Sequence, residues 1–313
     1  MAMLPARNAS GHHMKQRKKD LIFVLCMLAV PLLNFLIFWL WPNGQSIIMA
    51  FQLPNNPSFT LLNFERFFTD LFSPYTGLWK EIRNSFIMFF VGTFVNLPMV
   101  LFMSYIMFKK VAGYKIFRVL FYLPSIIGGT VMSQIFRNFC SSGGPIEQLL
   151  LALGIPFDEW LGLFGVESTG MTLMIIYTLW TGVGSNMIMF TGAMNRVPQD
   201  IFESARIDGI GFFREFFDII IPLIWPTVTT MVVFSMTGIF SNAGIVMLLC
   251  PNTPGCSNIG YYILRHTMAA GNSTTNEVYN YPAAVGLIFT LINLPLVLGT
   301  RWLCERVAKN VEY

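Results

Sequence analysis

The sequence predicts an all-α integral membrane protein with six transmembrane helices and with both termini on the cytoplasmic side. Hydrophobic residues make up 54% and charged residues only 12% of the 313 residues, whereas soluble domains carry about 25% charged residues. Six long apolar runs have no charged residue in their middle, and lysine and arginine are concentrated in every second connection. The first two observations predict the membrane class, and the third predicts the orientation.

The N-terminal region divides into a tail and a first span. Residues 1–20 are polar and basic towards their end, where Lys18 and Lys19 precede an uncharged run at 21–41. This run is about 20 residues long, which is enough to cross a hydrocarbon core of about 30 Å. A cleavable signal peptide would have a shorter apolar region and a small-x-small cleavage site after it. No such site follows, so we predict a cytoplasmic tail and a retained span.

The other five apolar runs continue the same domain. The third of the six is short and is interrupted by Pro124 and by Gly128-Gly129. Residues 21–303 are therefore predicted to form one six-span domain, which a cytoplasmic tail at 304–313 follows. The predicted spans are residues 21–41, 84–108, 119–136, 169–194, 223–249 and 282–300.

The connections between the spans are polar or mixed in composition. We predict a short helix at the membrane interface over 63–68 and a short amphipathic helix over 145–151. Residues 250–281 are predicted to form a loop. The longest charged connection, at 195–222, lies between two uncharged runs, and its size suits a docking surface better than a simple connector.

The distribution of basic residues predicts which side of the membrane each connection faces. With the N-terminus inside and six spans, most of the 20 Lys and Arg residues lie on the cytoplasmic side. This arrangement agrees with the positive-inside rule. It makes both ends and the charged segment 195–222 cytoplasmic. The exceptions are Arg66, Lys80, Arg83, Arg137 and Arg265.

The five cysteines show no CxxC pair and no histidine at ligand spacing, so we predict no metal site. Cys250 and Cys256 flank a turn-rich stretch, Pro251-Asn252-Thr253-Pro254-Gly255. If this loop faces an oxidising compartment, the two cysteines could form a local disulfide. The alternative is two buried thiols.

Several kinds of chemistry are missing from the sequence. It has no Gly-x-x-x-x-Gly-Lys-Ser/Thr phosphate loop, no HExxH and no GxSxG, so we predict no nucleotide hydrolysis and no catalytic residues in this chain. No basic stripe with interleaved aromatic residues indicates nucleic-acid binding. No ionisable residue lies in the middle of a predicted span, which disfavours ion-coupled carriers and intramembrane enzymes.

The polar residues inside the predicted spans are all neutral. Hydroxyl and amide groups suit an uncharged cargo that forms hydrogen bonds, such as a sugar. The alternative is that they bridge helices, which is the commoner role of a single Ser or Asn in a membrane. These residues are Asn96, Ser104, Ser133, Gln134, Ser185, Asn186, Ser235, Ser241, Asn242 and Asn293.

The charged segment 195–222 has the pattern of a helix, a tight turn and a second helix. Pro198 suits a helix N-terminus, and acidic residues in the first turn complement the helix dipole. Gly209 allows the backbone to reverse, and Pro222 marks the entry into the next span. An ordinary amphipathic loop on the membrane surface is the alternative interpretation.

The same segment resembles a known signature. Glu203-Ser204-Ala205, then Asp208-Gly209, then Ile219, Ile221 and Pro222 are similar to the Glu-Ala-Ala…Gly…Ile-x-Leu-Pro signature of permease subunits of bacterial binding-protein-dependent ABC importers, in particular the carbohydrate branch with the maltose-type permeases. The spacing matches without a gap, with Ser204 in place of Ala and Ile221 in place of Leu. The resemblance extends more loosely over roughly residues 80–305.

This resemblance implies a type I ABC importer permease fold in the bacterial inner membrane. It implies as partners a second permease subunit in a heterodimer, two ATPase subunits that bind ATP and Mg, and an extracytoplasmic solute-binding protein, with a saccharide as cargo. In that family the segment forms a coupling helix that docks in a cleft of the ATPase. By this resemblance Glu203 pairs with a basic residue of the ATPase, Ala205 permits close approach and Gly209 makes the turn.

The resemblance also implies where the cargo passes. In maltose-type permeases the helices before and after the coupling segment hold the sugar. Gly182, Ser235 and Asn242 match residue types at such positions, whereas Ser185 replaces an aromatic residue. We therefore predict Gly182, Ser185, Asn186, Ser235 and Asn242 as residues of the cargo path. An importer of a non-sugar solute, and a channel or scaffold that is not coupled to ATP, remain the alternatives.

Overall fold

The computed structural model describes residues 9–53, 58–73, 77–154, 162–165, 167–251, 253, 255–272 and 279–308. Within these residues every helix or strand element is a helix, as the all-α prediction requires. The two short helices predicted in the connections are present, as Leu62–Phe72 and Pro145–Ala152. Residues 304–308 of the predicted tail continue the last helix, Asn280–Ala308, and residues 309–313 lie outside the described residues.

In the described parts of the chain, the N-terminal half contains nine α-helices and the C-terminal half contains eight. A π-helical stretch, Phe35–Leu40, joins the first two, and a second one, Val91–Asn96, joins the fourth and fifth. The two joined units give continuous apolar helices over Lys19–Ala50 and Leu78–Phe108. The helices are α1 Ala9–Asn34, α2 Trp41–Ala50, α3 Leu62–Phe72, α4 Leu78–Phe90, α5 Leu97–Phe108, α6 Tyr114–Ile126, α7 Gly129–Cys140, α8 Pro145–Ala152 and α9 Gly162–Gly165.

Eight of these α-helices lie in the C-terminal half. A third π-helical stretch, Glu215–Ile220, lies between two short helices after the charged segment. The helices are α10 Glu167–Met194, α11 Gln199–Ile207, α12 Phe212–Arg214, α13 Ile221–Leu223, α14 Trp225–Thr237, α15 Gly244–Leu249, α16 Ile259–Asn272 and α17 Asn280–Ala308.

Proline explains where the π-helical stretches occur. Each stretch ends two residues before a proline inside a longer helical run. Proline has no N–H and its ring clashes with the carbonyl of the residue four positions earlier. A local widening of the helix accommodates that clash without ending the helix. The prolines are Pro42, Pro98 and Pro222.

The spans are less regular than the sequence predicts. Among the residues that the structure describes, four helices are long and apolar enough to cross a membrane, and the number rises to six if each of two bent helix pairs is one span. The third predicted span is not straight, because α6 meets the α7–α8 pair at 103°. The Gly128-Gly129 pair lies at this bend, since Gly128 precedes the first residue of α7.

The fifth predicted span, 223–249, is wrong as a single helix. The helical run Phe212–Leu223 meets α14 at 72°, and α14 itself ends at Thr237. Pro226 accounts for the first break, because it lacks the N–H that would donate to the carbonyl of Pro222. The loop predicted at 250–281 is also wrong in part, since it contains α16.

Three clusters of buried apolar side chains hold the bundle together. The largest joins α5, α10, α11 and α14 with the π-helical stretch Glu215–Ile220. The second lies around α7, α10 and α15, and the third joins α3, α4, α16 and α17. The first span adds little to these clusters, because none of the residues in its most apolar 18-residue stretch is buried within this chain.

The cysteines at the ends of the turn-rich loop are unbridged and buried. The structure therefore has the two buried thiols rather than the disulfide that the sequence left open. A hydrogen bond with Cys256 and burial raise the pKa of the Cys250 thiol. Both thiols belong to the second apolar cluster, so they act there as core residues.

Candidate functional sites

The charged segment is built around α11 and the turn that ends it. Gly209 adopts a φ of 70°, in the left-handed region. The N–H of Ile210 donates to the carbonyl of Ala205 at 3.0 Å, and the N–H of Gly209 donates to the carbonyl of Arg206 at 3.1 Å. These two bonds form a Schellman motif, in which the left-handed position is normally glycine. The turn predicted at Gly209 is therefore present.

Helix α11 has one buried and one exposed face. Phe202 and Ala205 are buried, whereas Glu203, Ser204, Arg206, Asp208 and Gly209 are exposed. The outward face is therefore polar and accessible to another protein.

One apolar residue on this outer surface was not predicted. Ile207 is 86% exposed, more than any other large hydrophobic residue described in the chain. A single exposed apolar residue is common on protein surfaces, so Ile207 adds to the outer surface of α11 without defining a docking site by itself. The sequence did contain the signal, since Ile207 interrupts the polar side of an amphipathic helix.

Aromatic packing attaches α11 to the end of α5. The rings of Phe202 and Phe108 have centroids 5.3 Å apart. Nearby, the Tyr105 hydroxyl donates to the Phe212 carbonyl at 3.1 Å. The segment is thus fixed to α5 both at α11 and at the start of α12.

A buried ion pair reinforces this attachment. Lys109 follows α5, and its Nζ lies 2.6 Å from Oε1 of Glu215. The two side chains are 20% and 5% exposed, respectively. The same Nζ lies 5.8 Å from the ring centroid of Phe202, within the range of a cation–π interaction. Lys109 therefore contacts both helical parts of the charged segment.

Pro222 lies in α13, directly after the π-helical stretch Glu215–Ile220. The chain stays helical through Pro222 and turns at Ile224, where φ is −98° and ψ is 9°. The direction change into α14 thus occurs two residues later than Pro222 alone would suggest.

Two of the predicted cargo residues, Ser235 and Asn242, line one cavity of about 210 Å³. Other polar residues of its lining are Ser85, Thr178 and Asn258. The Ser235 and Thr93 hydroxyl oxygens lie 2.6 Å apart. The described lining residues include no charged side chain, and they add the rings of Phe89 and Phe234.

The structure does not bring the other three predicted cargo residues into this cavity. Gly182 packs closely against Asn96, because a Cβ there would lie 2.5 Å from the Asn96 Nδ2. Ser185 is exposed and Asn186 is half-buried on α10. The small size of Gly182 therefore serves helix packing, and a cargo role for these three residues stays a prediction.

Sequence reasoning missed some polar residues of the cavity. Thr178 lies inside the fourth predicted span, and its hydroxyl also bonds the carbonyl of Met174 in its own helix. Asn258 lies in the stretch that was predicted to be a loop. A periodicity analysis that recognised α16 would have placed Asn258 directly before its first residue, a position that favours Asn.

No group of three or more His, Cys, Asp or Glu residues within the described parts of the chain could hold a metal ion. The candidate sites are therefore a polar docking surface and an uncharged cavity.

The chain is similar to known transport proteins. The family described as "Binding-protein-dependent transport system inner membrane component" matches residues 71–312. The arabinooligosaccharides transport system permease protein AraP of Bacillus subtilis is 30% identical over 276 residues, covering 85% of this chain and 83% of that protein. The maltose/maltodextrin transport system permease protein MalF of Escherichia coli K12 is 29% identical over 202 residues, covering 61% of this chain and 37% of that protein.

Solved structures share the fold. A chain of a bacterial ABC transporter involved in the import of the acidic polysaccharide alginate superimposes with a TM-score of 0.80 at 21% identity. The match covers 95% of this chain and 99% of that chain. A second structure, of a bacterial alginate ABC transporter in complex with an alginate pentasaccharide-bound periplasmic protein, gives a TM-score of 0.79. At this identity the likeness concerns the fold.

Proposed function

This chain belongs to the family of binding-protein-dependent transport system inner membrane components, and from this premise we propose that it is a permease subunit of an ATP-driven saccharide importer. An extracytoplasmic binding protein delivers the saccharide, and the chain lies in the bacterial inner membrane as a multi-pass protein. The family match over residues 71–312 confirms the resemblance drawn from the charged segment.

The observation that carries the proposal is the construction of α11. Its polar face is exposed, while Phe202 on the other face packs on Phe108 at the end of the Leu78–Phe108 helix. A force applied to the polar face therefore reaches a long helix through packed side chains and the Lys109–Glu215 ion pair. Such a coupling helix transmits closure of an ATPase dimer to the bundle, which alternates between inward and outward access.

The partners follow from what this chain does not supply. Its sequence has no phosphate loop, so two separate ATPase subunits bind ATP and Mg and hydrolyse the nucleotide. A second permease subunit completes a heterodimer and covers the apolar surface that this chain leaves exposed. The chain itself is not an enzyme.

The uncharged cavity supports a neutral saccharide as cargo. Its hydroxyl and amide groups can bond sugar hydroxyls, and sugar rings pack on aromatic faces such as those of Phe89 and Phe234. An acidic saccharide or a peptide would require charged partners in a low-dielectric site. No described residue of the lining carries a charge, which favours a neutral sugar over those cargoes.

Uptake by the reconstituted complex tests the proposal. Proteoliposomes containing this chain, its second permease and the ATPases are supplied with ATP, the binding protein and a panel of neutral oligosaccharides, acidic oligosaccharides and peptides. We expect uptake of a neutral oligosaccharide, and Asn242→Leu should raise its KM, whereas Thr300→Val on α17 should not. Uptake of peptides or acidic saccharides alone would contradict the proposed cargo.

A further inference from the structure

The chain leaves the helical conformation in the middle of the fifth predicted span. Helix α14 ends at Thr237 and α15 begins at Gly244, and between them residues 238–241 form turns. Asn293, near the middle of the Asn280–Val307 span, contacts the Thr237 carbonyl, which places the break near the middle of the membrane. Backbone polar groups at this depth must be satisfied by the protein or by a water-filled cavity.

A buried asparagine holds the C-terminal end of this unwound segment. Nδ2 of Asn258 donates to the carbonyl of Asn242 at 2.7 Å. Its Oδ1 accepts from the N–H of Tyr261 at 2.8 Å, at the start of α16. Asn258 is only 4% exposed. One side chain therefore caps α16 and fixes the backbone beside Asn242.

A second asparagine holds the N-terminal end. Nδ2 of Asn293 donates to the carbonyl of Thr237 at 3.3 Å. The Ser241 hydroxyl donates to the same carbonyl at 3.2 Å. The last turn of α14 is thus held from α17 and from within the segment, and both anchoring amides come from other elements of the chain.

The segment separates two cavities. On one side Gly238 and Ile239 line the 210 Å³ cavity that Ser235 and Asn242 share. On the other side Phe240 and Ser241 line a cavity of about 570 Å³, which Asn293 also lines. A shift of the segment would therefore move the polar groups of the candidate cargo site directly.

We propose that residues 238–243 are a positioning element of the cargo site and that Asn258 and Asn293 are the positioning residues that hold it. Unwound backbone in transporters lies at cargo sites. Here the two amides keep Ser235 and Asn242 in one arrangement, so the element controls how tightly the cargo is held. This inference rests on the proposed function in taking Ser235 and Asn242 as the cargo contacts.

The substitution Asn258→Asp removes one of the two hydrogen bonds of Asn258 and keeps the other. A carboxylate still accepts from the Tyr261 N–H and remains a good helix cap, but it cannot donate to the Asn242 carbonyl. Asn63→Asp is the matched control, because Asn63 is also buried, at 7% exposure. Its Nδ2 donates to the carbonyls of Ala50 and Gln52, far from the segment in sequence.

Hydrogen exchange of the assembled complex in lipid nanodiscs tests whether the segment is held. The hydrogen bond to the Asn242 carbonyl is partly buried, and leaving such a group without its donor costs about 1–2 kcal/mol. We therefore expect amides within 238–244 to exchange at least roughly tenfold faster in Asn258→Asp, with α16 protected as in the wild type. Asn63→Asp should leave these amides unchanged. Unchanged exchange in both Asn258→Asp and Asn293→Leu would overturn the proposal, whatever the cargo is.

Transport kinetics test whether the segment positions cargo residues. With a neutral arabino-oligosaccharide as the probe, Asn258→Asp and Asn293→Leu should each raise KM for uptake roughly tenfold. Asn293 does not line the cavity that Ser235 and Asn242 share, so its effect on KM reports positioning rather than lost cargo contact. Faster exchange with an unchanged KM would overturn the positioning role. If Asn258→Asp exchanges faster but the wild-type complex imports no member of a saccharide panel, the held segment stands and the proposed function is contradicted instead.

Discussion

At the scale of single residues, exposure and charge on α11 decide what Glu203 can do. Its side chain is exposed on a helix whose other face is packed. Changing its charge therefore alters the docking surface and leaves the fold intact. The resemblance drawn from the sequence assigns Glu203 a basic partner on the ATPase.

We expect Glu203→Lys to abolish ATP-driven uptake while the chain still inserts and pairs with the second permease, because a lysine there repels the basic partner. Uptake and ATPase assays on membranes containing the complex measure the effect. Glu65→Lys, on the exposed side of α3, should retain activity. Normal transport by Glu203→Lys would contradict a docking role for α11.

The Lys109–Glu215 pair differs from the surface pairs of the chain in its burial. Lys109→Met leaves the Glu215 carboxylate buried without its cation, and we expect a loss of stability of about 3 kcal/mol. Arg301→Met is the control, because Arg301 and Glu305 lie 2.7 Å apart but are largely exposed, and exposed pairs contribute little to stability. Thermal unfolding of the purified complex measures both. Equal effects of the two variants would show that burial does not matter here.

The sequence carries more information about the faces of α11 than about the lining of the cavity. The spacing of apolar and charged residues on α11 defines its faces directly, and Phe202 is buried while Glu203 is exposed. Asn258 could not be assigned in this way, because its role depends on a carbonyl that only the break before α15 exposes. The close contact of Gly182 with Asn96 could not be predicted either, because Asn96 is distant in sequence.

At the scale of secondary-structure elements, glycine and proline set where the helices end and bend. The turn after α11 depends on the left-handed backbone of Gly209. No heavy atom outside its chain neighbours and its own helix backbone lies within 4 Å of a Cβ placed there. A substitution is therefore opposed only by the energy of the left-handed backbone conformation.

We expect Gly209→Ala to destabilise the turn by about 1–2 kcal/mol, which is the cost of the left-handed conformation for a residue with a Cβ. The complex should then couple ATP hydrolysis to uptake less efficiently. The ratio of sugar imported to ATP hydrolysed is the measurement. Gly192→Ala is the control, because Gly192 also has open space around it but lies inside α10. A ratio unchanged in Gly209→Ala would contradict the role of the turn.

The sequence predicted the existence of the helices more reliably than their continuity. Apolar runs of about 20 residues identify the membrane segments through the length of the bilayer. Whether a run bends depends on local prolines and on side chains such as Asn293, which form hydrogen bonds with the backbone groups that a break leaves without a helical partner. The break at 238–243 therefore could not be predicted from hydropathy, and α16 was missed because it is shorter and carries Arg265 and His266.

At the scale of the whole molecule, the distribution of lysine and arginine predicts one orientation. A cysteine-free variant carrying either Ser141→Cys or Lys110→Cys tests it, since both residues are exposed. A membrane-impermeant maleimide applied to intact cells should label Ser141→Cys, and it should label Lys110→Cys only after permeabilisation. The opposite pattern would place α11 outside and would remove any contact with a cytoplasmic ATPase.

The central claim is that this chain works as one subunit of an ATP-driven importer. The most direct test is affinity purification of the full chain from its native membrane in a mild detergent, with quantitative mass spectrometry of the proteins that accompany it. The account predicts one second permease and two copies of an ATPase for each copy of this chain. Recovery of this chain alone, under conditions that preserve other membrane complexes, would contradict the claim.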